Sequence, residues 1–192
     1  MLRTRAATML LAPLVLLPLP ILRAQDGGLL QVVRSQVSFV SDAPLEQIQA
    51  SLRTAKGVMD PDARTFAIQV PVSDFDGFNS PLQREHFNEN YLESAVHPKA
   101  VFKGRVIESL DLRSIGTSVV RAKGTFSLHG VERERIIECR IAVGPDGVRV
   151  TSTFPVLLED HAIRVPRVVQ RKVAPEATVT VDLLFRPKSA GP

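Results

Sequence analysis

Alternation of apolar and polar residues with a period of two runs through most of residues 100–185. In AVFKGRV, Ala100, Phe102, Gly104 and Val106 hold one phase, with Lys103 and Arg105 on the other. Val120, Ala122, Gly124 and Phe126 repeat the pattern against Arg121 and Lys123. The run from Val131 to Val143 begins with alternating Arg and Glu and turns apolar at Ile137, Cys139 and Ile141. Val148, Val150, Ser152 and Phe154 continue it, and Val179, Val181, Leu183 and Phe185 close it against Thr178, Thr180 and Asp182. Successive side chains of a strand point to opposite faces, so each run has one covered and one wetted face. That is the signature of antiparallel sheet.

The first part of the chain fits the same scheme. Val37 and Phe39 alternate with polar neighbours, and Phe66, Ile68, Val70 and Val72 share one phase of TFAIQVPV. Turns are expected at Asp60-Pro61-Asp62, at Gly130 and at Gly144-Pro145-Asp146-Gly147. Two short helices interrupt the strands. Asp42-Ala43-Pro44 opens one in which Leu45, Ile48 and Leu52 share a face. Ser80, Pro81 and Gln83 give the N-cap, first-turn proline and capping-box residue of a second, which ends near Glu93 because Pro98 pushes His97 towards extended geometry. This second helix is too short to stand alone in water, so it must pack on the sheet, through Leu82, Phe87 and Tyr91.

Mainly β architecture follows: an antiparallel barrel, preferred to a sandwich because Gly104 and Gly124 fall inside strands, where a closed sheet needs bends. A barrel of about eight strands is wide enough for one slender ligand. The residues that would face such a lumen are Phe66, Ile68, Phe102, Ala122, Gly124, Phe126, Val150, Phe154, Val181 and Leu183. Pattern alone leaves two readings open. Small residues such as Ala122 and Gly124 leave room inside, whereas Phe66, Phe102, Phe126, Phe154 and Phe185 could fill the interior themselves.

Residues 1–24 read as a secretory signal peptide. Arg3 and Arg5 precede an uncharged, Leu-rich run, and Ala24 closes a plausible cleavage site. Pro13, Pro18 and Pro20 argue against a spanning helix. The expected mature protein is therefore a single domain, residues 25–192, in the periplasm or secreted. Of 24 basic and 20 acidic residues, Arg3, Arg5 and Arg23 lie in this leader and no acid does, so the rest is balanced to within one charge. That balance, with Arg133, Arg135 and Arg140 interleaved among Glu132, Glu134 and Glu138, argues against a nucleic-acid partner.

Chemistry is sparse. The single cysteine, Cys139, alternates with Ile137 and Ile141 and reads as a buried thiol. His86, His97, His129 and His161 lack the close ligand spacing of a metal site, so no metal and no cofactor are expected. No nucleophile elbow or phosphate loop is present, and no catalytic residue is assigned.

Three segments carry a resemblance. In HFNENYLESAVHPKAVFKG, His86, Phe87, Tyr91, Leu92, Glu93, Ser94, Pro98 and Phe102 fit a motif of the form HxxxxYxES followed by a proline and an aromatic strand start. GTFSLHGVERE places Gly124, Phe126, Leu128, His129, Gly130 and Val131 in a second, and LLEDHAIRVPRVV is a third, weaker one. In this order the segments resemble the YceI-like family of extracytoplasmic lipid-binding proteins. The resemblance implies a lipocalin-like barrel holding a long isoprenoid or other amphiphilic lipid, compatible with transient membrane contact. The N-terminal strand lacks the D-x-x-H-S opening of the family's better-known branch. His86, Tyr91, Glu93, His129 and Gly130 are expected to act structurally, with His86 and His129 tying helix to barrel by hydrogen bonds. The alternative function is a non-enzymatic accessory or interaction domain with a filled barrel, acting through its surface loops.

Overall fold

The computed structural model describes residues 28–188. The leader expected at residues 1–24, with its cleavage site at Ala24, lies outside them. Among the described residues the chain forms β1 (Leu30–Asp42), β2 (Gln47–Leu52), β3 (Lys56–Asp60), β4 (Thr65–Pro71), α1 (Pro81–His86), β5 (Lys99–Val106), β6 (Gly116–Leu128), β7 (Val131–Gly144), β8 (Gly147–Leu157) and β9 (Glu176–Pro187). From β3 to β9 each strand pairs antiparallel with the next, and β1 pairs with both β3 and β9. The result is a closed eight-stranded antiparallel barrel, with β2 as an extra strand on the edge of β1.

β2 corrects the first helix expected from the sequence. Leu45, Ile48 and Leu52 fit a helical period, but Ile48, Ala50 and Leu52 also fit a period of two. β1 meets β3 only at its start, at Leu30 and Gln31, which leaves that edge without β3 from Val37 onward. Gln47–Leu52 covers that edge in antiparallel register, Val37 opposite Leu52 and Asp42 opposite Gln47. Unpaired backbone groups at a sheet edge are a stronger demand than a weak helical period. Ala50 and Leu52 are buried as a result, while Leu45 is exposed.

β1 contains a second local adjustment. Its register on β9 shifts between Val32 and Arg34, leaving Val33 as an extra, exposed residue. This bulge moves the inward phase from Leu30 and Val32 to Ser35 and Val37.

The second expected helix is present. Ser80 caps α1, its Oγ accepting from the Gln83 amide at 3.2 Å, and the Gln83 side chain accepts from the Asn79 amide at 3.1 Å. A π-helical turn, Phe87–Tyr91, continues α1 without a break, and the Leu92 amide donates to the Phe87 carbonyl. Phe87 and Tyr91 pack against the barrel as expected, but Leu82 does not: it lies on the solvent side of α1.

Candidate functional site

The inward faces of the strands enclose a cavity of about 250 Å³. Phe66, Ile68, Phe102, Ala122, Phe126, Val150, Phe154, Val181 and Leu183 line it, in the phase the alternation predicts. Gly124 is different. It lies opposite Gly104 in the β5–β6 ladder, and a Cβ on either residue would fall 2.2 Å from a carbonyl oxygen of the facing strand. The pair therefore serves a close approach of the β5 and β6 backbones, and Gly124 is not among the residues that line the cavity. Phe185 is fully buried in the barrel core and also touches the cavity.

One region of the wall was not assigned from the sequence. Phe39 of β1, Phe75 and Phe78 from the stretch after β4, and Phe87 at the end of α1 form an aromatic cluster. Phe87 stacks on Phe39 with centroids 5.3 Å apart and planes 8° from parallel, and meets Phe75 edge-on. All four touch the cavity, so the helix supplies part of its wall. Phe39 is legible as the inward neighbour of Val37. Phe75 and Phe78 sit in DFDGFNSP, where no strand or helix period marks them.

The cavity wall carries no charged side chain among the described residues. Three of its polar side chains are already engaged. Ser41 Oγ accepts from the Ala174 amide at 3.0 Å, Ser152 donates to the Glu138 carbonyl at 2.6 Å, and Gln83 donates to the Glu46 carboxylate. Cys139 faces the cavity, and burial pushes its thiol pKa up, opposite to what a nucleophilic thiol needs. Burial likewise raises the Tyr91 phenol. What remains available to a ligand is almost entirely apolar surface.

The motif residues separate into two groups. His86 is exposed at the end of α1 and so is not the tie expected between helix and barrel. His129 and Gly130 form the two-residue β6–β7 turn, both with positive φ (51° and 74°), as a tight hairpin requires. His129 Nδ1 lies 3.0 Å from the His161 carbonyl, so it carries the proton and donates. His129 thus ties the hairpin to the loop after β8, and not to the helix. His161 is itself fully buried, its Nδ1 3.1 Å from the Val131 carbonyl and its ring edge-on to Phe126. Burial holds its pKa below the usual histidine value. Around this corner the fold also brings Glu93, His97 and His129 together, with one ligand atom from each within 4.8 Å of the others. Spacing in sequence had suggested no such cluster.

No curated protein matches the sequence. Among solved structures, the polyisoprenoid binding domain from Saccharophagus degradans implicated in plant cell wall breakdown superposes with a TM-score of 0.70 at 12% identity, covering 83% of this chain and 98% of that one. BcnA of Burkholderia cenocepacia gives 0.64 at 15% identity, over 78% and 94%. A YceI protein of Campylobacter jejuni gives 0.52 at 12%, over 71% and 81%. At these identities the likeness is one of fold. The sequence itself matches the model of the YceI-like domain over residues 30–185, from the first barrel strand to the last, and the chain therefore belongs to the YceI-like family.

Proposed function

We propose that this protein binds or carries a long-chain isoprenoid or other amphiphilic lipid in the barrel cavity, outside the cytoplasm and without catalysing a reaction. The observation that carries this reading is the cavity wall, overwhelmingly apolar and without a charged side chain among the described residues, with Ser41, Gln83 and Ser152 already hydrogen-bonded within the protein. Such a wall offers no charged partner to a charged ligand and few polar ones to a sugar-like ligand. For an apolar chain, each 100 Å² removed from water contributes about 2.5 kcal/mol before the costs of binding. The fold shared with the Saccharophagus degradans polyisoprenoid binding domain supports the same class of ligand. A filled-barrel interaction domain would have no use for an internal cavity. The extracytoplasmic placement rests on the leader pattern of residues 1–24.

Mass spectrometry of organic extracts from protein purified from its own host tests the ligand. A long-chain lipid present near one per chain is expected. Extracts without lipid, together with no uptake of a long-chain isoprenoid added in solution, would refute the reading. N-terminal sequencing of the exported protein tests the location and should begin near Gln25; full-length protein retained in the cytoplasm would contradict it.

A further inference from the structure

We propose that Glu93, His97 and His129 form a binding site for one divalent transition-metal ion, with zinc as the best-fitting class. The site stands apart from the lipid reading and does not depend on it. Glu93 and His97 flank the turn that leads from the helix into β5, where the Glu93 carbonyl accepts from both the Val96 and His97 amides at 2.8 Å. This turn places the two side chains, four residues apart, on the same side. His129 comes from the β6–β7 hairpin and closes the group.

The chemistry of His129 carries the argument. Its Nδ1–H donates to the His161 carbonyl, so the lone pair sits on Nε2. That Nε2 atom is buried and has no hydrogen-bond partner among the described residues. It faces the Glu93 carboxylate at 3.7 Å, too far for a hydrogen bond. Two electron-pair donors thus point at each other across a gap, with the His97 ring edge-on at 4.9 Å. Tetrahedral zinc with bonds of about 2.0–2.1 Å sets its ligand atoms about 3.3–3.4 Å apart. A small closing movement of three side chains meets that geometry. A backbone carbonyl on Nδ1 is also the usual outer partner of a metal-bound imidazole, since it fixes the tautomer and ring orientation.

The local backbone is shaped for this meeting. Glu93 and His129 both hold positive φ, 44° and 51°, a region side-chain-bearing residues seldom occupy. Gly130 lets His97 approach: a Cβ there would lie 2.7 Å from the His97 ring. Two imidazoles and one carboxylate leave a coordination position for water, as in sites with three protein ligands. A bound ion would bridge the segment after the helix to the β6–β7 hairpin, and so stiffen the corner where Tyr91 and Leu92 wall the cavity.

The test is zinc uptake by the purified protein after equilibrium dialysis against micromolar zinc at pH 7.5, measured by elemental analysis. Cobalt substitution provides an absorption signature of low coordination number. One equivalent of zinc is expected, with a zinc-dependent rise in melting temperature. Glu93→Gln and His97→Gln should each weaken binding by about 100-fold, the upper range for disturbing a metal site's surroundings. His86→Gln, on an exposed histidine outside the cluster, should bind like the parent. Because His97 packs on Gly130, its variant is read only if its circular dichroism without zinc matches the parent. Glu93→Gln removes an exposed carboxylate and keeps the test decisive if that variant fails. No stoichiometric zinc in the parent would overturn the proposal, as would undiminished binding in Glu93→Gln, or binding lost in His86→Gln.

Discussion

At the scale of single residues, the buried histidine His161 has the clearest thermodynamic consequence. Its Nδ1–H satisfies the Val131 carbonyl, while burial disfavours the charged form and lowers its pKa. A base whose pKa is depressed on folding takes up its proton more readily in the unfolded chain. Its contribution to stability is therefore fully present above the unfolded value of about 6.5 and declines as pH falls from there towards the folded value. Denaturant unfolding between pH 7.5 and 5 should show this decline. His161→Leu should flatten that part of the pH profile while lowering stability at pH 7.5, and an unaltered profile would show that another group is responsible. Ala122 offers a second residue-scale test, because its methyl group is a small point in the cavity wall. Ala122→Phe should push a ring into the space a ligand would use, costing about 1–3 kcal/mol of stability and most of the lipid uptake. A folded variant with unchanged uptake would place the ligand elsewhere.

Among the elements, the helix is the one held most by its contacts. Eleven or so residues of helix do not persist in water by themselves. α1 is fastened at its start by the Ser80 cap and at its end by Phe87 against Phe39, Phe75 and Phe78. Ser80→Ala should lower stability by about 1 kcal/mol, measured by equilibrium unfolding. Phe87→Ala should cost more, about 3 kcal/mol, because it removes a ring stacked within the aromatic cluster. If the helix were instead a loosely held cover, Phe87→Ala would leave the melting temperature in place and alter only lipid exchange. The cap was legible because Ser, Pro and Gln follow a local rule that needs no partner from elsewhere. The exposed position of Leu82 was not, since the π-helical turn and the aromatic cluster set which side of the helix faces the barrel. β2 makes the same point: its helical period is real, but the open edge of β1 is a demand from outside the segment.

Considered as a whole molecule, the barrel depends on two glycines whose importance exceeds their size. Gly104 and Gly124 face each other, and the facing carbonyl oxygens leave no space for a side chain on either. Gly124→Ala should therefore prevent proper closure, seen as loss of cooperative unfolding, whereas Ala122→Phe two residues earlier should still fold. Equal folding of the two variants would mean that this close approach is not required. Closure also explains the balance between what was readable and what was not. The period-two alternation is a property of each strand, so inward and outward faces, the turns at Gly130 and Gly144–Gly147, the antiparallel order and the barrel itself followed from local residue order. The cavity did not, because whether five phenylalanines fill a barrel depends on its diameter and on where their rings lean, which only the assembled sheet sets. The meeting of Glu93, His97 and His129 did not follow either. His129 lies far along the chain from the other two, and only the packing of the β6–β7 hairpin against the turn after the helix brings their ligand atoms within reach of one ion.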